Sequence, residues 1–184
     1  EIQRNITYPV IRTLIQSTTD GFSNTGTERI PAGCGRMFIS NHRDITCDAM
    51  LMQYALFEGN LPTTDIALGD NLMRSSLFIE VCKANNMVRV IRKDDVSPRE
   101  FLENSCHLAE YIRMRVVDAC RSVWIAQRNG RTKDGCDVTE PGIIKMLGMS
   151  GGSDLAENIG ALNISPVAIS YQYEPCDVLK AIEL

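Results

Sequence analysis

The chain has 184 residues, 44% of them hydrophobic and 23% charged, with a formal net charge of −4. That length supports one domain, residues 1–184, with a substantial core, and the acidic balance argues against general nucleic-acid binding, which leaves a basic footprint. No apolar run reaches the roughly 18 residues that would cross a bilayer as a helix.

No stretch reads as a secretory signal, and the chain opens without methionine and ends at Leu184 inside a helical pattern, as a fragment of a longer protein would. The seven cysteines contain no Cys-x-x-Cys pair and no metal-ligand spacing to His42 or His107, so they read as free thiols of a reducing cytoplasm.

In chain order, residues 2–17 place Ile6, Val10, Ile11, Leu14 and Ile15 at helical intervals, with Pro9 giving a kink or a late start. Packing on a sheet is the expected role of this amphipathic helix, ahead of a membrane-surface role. Residues 20–35 are rich in Gly, Ser, Thr and Asn and read as loop. Arg36 to Ser40 is a short strand, followed by a helix over 45–57 that ends near Gly59 and Pro62. Asp65 to Leu68 is a second strand, Leu72 to Ala84 a helix, and Met87 to Ile91 a third strand. Ser97-Pro98 opens a helix running to about Ala119, with serine as N-cap and proline at the first helical position. A strand follows over Ser122 to Ala126, then helices over Pro141–Met149 and Asp154–Leu162, a strand over Pro166–Tyr173, and a helix from Pro175. Alternating strands and helices predict an α/β fold, a central, largely parallel sheet flanked by helices.

Chemistry in such folds collects beyond the carboxyl ends of strands, and the first strand ends on Ser40-Asn41-His42-Arg43-Asp44. A loop histidine is most often a solvated or hydrogen-bonded surface residue, and Asp44 would serve equally as an N-cap. Asp48, however, lies three and four residues before Leu51 and Met52, on the apolar face of the following helix, and so points inward. An inward carboxylate needs a partner. His42 and Arg43 are the candidates on offer; the hypothesis taken is His42 with one carboxylate, Asp48 the first choice and Asp44 the second, the minimum set for an oriented general base. Cys47 falls beside the inward face and is not expected to be a nucleophile.

Two basic clusters also sit at strand ends: Arg89, Arg92 and Lys93, and the loop carrying Arg128, Asn129, Gly130, Arg131 and Lys133. Each alone would pass for solvated surface. Together, in an acidic chain, they suggest an anionic substrate, since arginine can grip phosphate with two hydrogen bonds. No phosphate-binding Gly-x-x-x-x-Gly-Lys loop, dinucleotide turn or Gly-x-Ser-x-Gly elbow is present.

Four blocks in this order resemble the glycerolphosphate and lysophosphatidic acid acyltransferases of phospholipid synthesis. Asn41-His42 with a following Asp is similar to the catalytic block, Val90-Ile91-Arg92 to a phosphate-binding block, Trp124 to Arg131 to the third, and Ile164-Ser165-Pro166-Val167 to the fourth. The chain resembles a divergent, bacterial-type branch. Five residues separate His42 from Asp48 where the family has four, Cys47 occupies the usual aspartate position, and Asn129 stands for the usual glutamate.

The resemblance implies an O-acyltransferase in which His42, held by Asp48 or Asp44, deprotonates an acceptor hydroxyl. That oxygen attacks the thioester of acyl-CoA or acyl carrier protein, while Arg92, Arg131 and the Arg128–Gly130 stretch hold the acceptor phosphate. It implies no covalent acyl-enzyme, no metal and no cofactor beyond the acyl donor. The expected location is cytoplasmic, peripheral on the inner face of the membrane. Met50, Met52, Met73, Met87, Met146 and Met149 suit an acyl channel, or core filling for most of them. A thioesterase using the same pair and an inactive lipid-phosphate-binding module are the alternatives.

Overall fold

Residues 37–40 alternate between two faces that are both covered, which is what a strand in the middle of a parallel sheet requires. The computed structural model describes residues 2–73 and 75–184. β1 (Met37–Ser40) lies in a five-stranded, all-parallel sheet of order β3-β2-β4-β1-β5, with β2 Asp65–Gly69, β3 Met87–Val90, β4 Val123–Ala126 and β5 Ser165–Val167. Around it run α1 (Tyr8–Thr18), α2 (Cys47–Glu58), α3 (Ser76–Ala84), α4 (Pro98–Arg113), α5 (Pro141–Leu147), α6 (Leu155–Gly160) and α7 (Asp177–Glu183). The fold is α/β.

Met37, Val123 and Ile125 pack on Ile112 and Val116 and on Met146 and Leu147 of α5. Phe38, Ile66, Trp124 and Ala126 pack on Ala49, Met52 and Leu56 of α2. Trp124 satisfies its indole by donating to Ser40 Oγ at 3.1 Å.

Three elements depart from the sequence expectation for identifiable reasons. Helix α1 packs on α2 rather than on the sheet: Ile11 and Ile15 bury against Tyr54, while Ile6, Val10 and Leu14 stay exposed. A wide π-turn over Gln3–Thr7 precedes it, with Tyr8 N–H bonded to Gln3 O, just before Pro9, which has no N–H to offer. The expected helix from Leu72 starts instead at Ser76, where Ser75 Oγ caps it by accepting from Phe78 N; Arg74, inside that expected span, lies outside the described residues. β5 stops at Val167 because β1 has already ended at Ser40. The Asn41 side chain takes over, donating to Ile169 O at 2.8 Å and accepting from Ile169 N at 2.7 Å.

β2 and β4 pair only through Asp65–Val123 and Ile66–Trp124, and then part. Beyond that point β2 stays with β3 and β4 stays with β1, so the sheet is split at its carboxyl edge. The split positions the cavity described below.

Gly35 marks where the chain must pass close to another backbone before β1. A Cβ there would overlap Val116 O and stand 2.9 Å from Arg121 N and O. Gly35→Ala should cost about 1–3 kcal/mol as overpacking, lowering Tm by roughly 2–4 °C per kcal/mol. Gly142→Ala, where nothing lies within 4 Å of the added carbon, should leave the melt unchanged or slightly raised.

Candidate active site

The loop after β1 closes around a buried carboxylate. Asp48, in the first turn of α2, is fully buried. Its Oδ2 accepts the backbone N–H groups of Arg43 at 2.7 Å and Asp44 at 2.9 Å, and lies 3.0 Å from His42 Nδ1. Its Oδ1 accepts the Tyr171 hydroxyl at 2.8 Å. An ionised carboxylate only accepts, so in the neutral ring the proton sits on Nδ1 and Nε2 keeps the lone pair.

Of the two carboxylates offered by the sequence, Asp48 therefore meets the ring. Asp44 does other work: its Oδ1 accepts Thr46 N at 2.9 Å and Cys47 N at 2.8 Å, and its Oδ2 lies 3.7 Å from Arg131 Nη1. Burial pushes the Asp44 carboxyl up, but those backbone donors outweigh it and hold the group below its ordinary value. Burial, then the charge of Asp44, pushes the Cys47 thiol up to about 12, so it stays protonated at neutral pH and is a poor nucleophile.

The loop after β4 grips His42 from the other side. Asp137 Oδ2 accepts His42 N at 2.7 Å, and Thr132 N donates to His42 O at 2.8 Å. Gln127 anchors that loop, donating from its backbone to Ser40 O at 2.7 Å and from its side chain to Asp137.

His42, Arg92, Arg128, Asn129 and Gly130 all line one cavity of about 1250 Å³. It passes the split in the sheet, along Ile66–Gly69 and Trp124–Ala126. One side is walled by Met50, Tyr54 and Phe57, the other by Phe101, Leu108 and Met146. Met87 and Met149 also line it, whereas Met52 belongs to the core and Met73 is not in the lining. Arg128 is held by its Nη1, which donates to Cys136 O at 3.1 Å. Arg92 Nε is buried with no hydrogen-bond partner among the described residues.

The expected convergence of Arg92 and Arg131 on one pocket does not occur. Gly130 takes a left-handed conformation, φ +76°, which turns the chain. Arg131 then pairs with Asp44 and, at 3.3 Å, with Glu183, outside the cavity lining. Lys133 joins Glu183 at 3.2 Å. These two cations of the second basic cluster are engaged in structure.

Sequence reasoning missed Asp137, Tyr171, Glu174 and Lys180. Lys180 is 1% exposed, donates to Arg43 O at 2.6 Å and pairs with Glu174, which also binds Arg43. Nothing in the local pattern marks it, because its neighbours Val178, Leu179 and Ile182 are the exposed ones. Tyr171 carried one usable signal, a phenol in the expected last strand, Pro166–Tyr173, of a sheet whose first strand leads into His42. Comparison with models of known protein families and with curated proteins finds no match for this chain.

Burial pushes the Glu174 carboxyl up, but hydrogen bonds from Lys180 and Arg43 hold it below its ordinary 4.5. A depressed folded value means that this stabilisation is complete above the unfolded value and is lost as pH falls through the folded one. Glu174→Gln should cost roughly 1.5–3 kcal/mol near neutrality. It should also flatten the fall of Tm in the acid range below 4.5, checked by melts at stepped pH.

Proposed function

We propose that the protein is an O-acyltransferase of phospholipid synthesis. It moves a fatty acyl group from acyl-CoA or acyl carrier protein to a hydroxyl of a glycerolphosphate or lysophospholipid. The observation that carries this reading is the Asp48-held His42 opening onto a large, mostly apolar cavity that Arg92 and Arg128 also line. Nε2 takes the acceptor's hydroxyl proton as the oxygen attacks the thioester carbonyl. The tetrahedral intermediate collapses, the C–S bond breaks, and the leaving thiolate recovers the proton from Nε2. Asp48 supports the imidazolium formed in between. The apolar walls suit the acyl chain, and the two arginines suit the acceptor phosphate.

The protein works, in this reading, at the cytoplasmic inner face of the membrane as a peripheral protein. No helix among the described residues is long and apolar enough to cross a bilayer. Helix α1 and its preceding turn nevertheless expose Ile2, Ile6, Val10 and Leu14, and their charged residues among 2–18 are only Arg4 and Arg12. Such a face suits an anionic lipid surface.

The test is turnover of acyl-CoA and acyl carrier protein thioesters with glycerol 3-phosphate and a panel of lysophospholipids, scoring free thiol and acylated product separately. Thiol release without acylated product would point to a thioesterase, and no thiol release to a binding module. His42→Ala should lower turnover about 10²–10⁴-fold, while Cys47→Ala should leave it largely intact. Arg92→Ala or Arg128→Ala should weaken acceptor use roughly 10- to 150-fold, the value of a hydrogen bond to a charged group. Donor hydrolysis by water should change far less. Equal losses in both rates would remove the acceptor-phosphate assignment.

A further inference from the structure

The segment after β5 is stitched to the His42 loop and, further on, to the loop after β4. Asn41 pairs with Ile169, Arg43 and Lys180 share Glu174, and Arg131 reaches Glu183 at 3.3 Å. Between these ties, Tyr171 donates to Asp48 Oδ1 at 2.8 Å. The other carboxylate oxygen already serves two backbone N–H groups and the imidazole. Donors on one oxygen alone leave the carboxylate to rotate about a broad, two-fold torsion. A donor on the second oxygen fixes its plane.

We infer that Tyr171 is a positioning residue for the His42–Asp48 pair: by holding Asp48 Oδ1, its hydroxyl keeps Oδ2 aligned with Nδ1–H and so keeps Nε2 as the basic nitrogen. The consequence for turnover rests on the reading of His42 as general base; the effect on the ring does not. Burial, then the charge of Asp48, pushes the Tyr171 phenol well above its ordinary 10.0, so the donor keeps its proton across the working range. Other charged or titratable groups around the pair are Arg43, Asp44 and Cys47 before and within α2, Asp137 on the loop after β4, and Glu174 and Lys180 on the carboxy-terminal segment. Among the hydrogen bonds of the described residues, Tyr171 is the donor to the second oxygen of Asp48.

The chain has only two histidines, so ring ¹⁵N shifts of the full protein, assigned with His107→Gln, report the tautomer of His42 directly. The native protein should show a single Nδ1–H form. Tyr171→Phe should populate the Nε2–H form and lower kcat about tenfold, the order of one hydrogen bond to a charged group, with KM for acceptor nearly unchanged. Fluorinated tyrosines at 171 keep the shape while strengthening the donor, and should hold the native tautomer and move the Nδ1–H proton resonance in step with donor strength. A folded Tyr171→Phe with one Nδ1–H tautomer would overturn the inference, as would a resonance indifferent to fluorination. The fluorinated series answers the question even where Tyr171→Phe fails to fold. A tautomer change in a protein that transfers no acyl group would support the role of Tyr171 and sink the acyltransferase reading instead.

Discussion

The buried carboxylate of Asp48 is the constraint on which the rest of the site depends. A charge removed from water is tolerated only when its lone pairs are met by donors. Here the backbone of residues 43 and 44 and the ring of His42 supply three, all within six residues of Asp48. The fourth, Tyr171, comes from 123 residues away. Satisfying one anion thus fixes the turn after β1, the rotation of α2 and the path of the chain beyond β5.

A second layer of ion pairs supports the same loop. Lys180 is almost wholly buried, and an ammonium there is tolerated only because Glu174 and the Arg43 carbonyl accept its hydrogen bonds. Arg43 completes the group, so a cation next to the histidine is turned away from the cavity. Arg131 is drawn off in the same manner by Asp44 and Glu183. Among the described residues, the cations that line the cavity are then Arg92, Lys93, Arg128 and Lys145, each on a different element or loop from His42.

The cavity is a consequence of strand pairing. Had β2 and β4 stayed paired to their ends, Ile66–Gly69 and Trp124–Ala126 would have closed a continuous sheet against one another. Their divergence opens room beside the strand ends that carry His42 and Arg128, and the neighbouring apolar side chains become walls. A long apolar substrate chain and a charged headgroup can then meet at one point.

Strand-helix alternation and the α/β class were legible in the sequence, because both depend on local periodicity and on turn and cap residues. So was the inward direction of Asp48, since helical spacing ties this residue, six past His42 in the chain, to Met52. Even there the apolar face was only partly readable: Leu51 packs toward α1, because α2 is covered on two sides. Tertiary structure alone decided what met Asp48 from afar, which arginines faced the cavity, and that α1 would lie on a helix. A side chain such as Tyr171, Lys180 or Arg131 is placed by partners scores of residues away, and no periodicity encodes them. Local pattern encoded the order and type of the main elements and the direction of one carboxylate. Long-range donors and the parting of two strands made them a site.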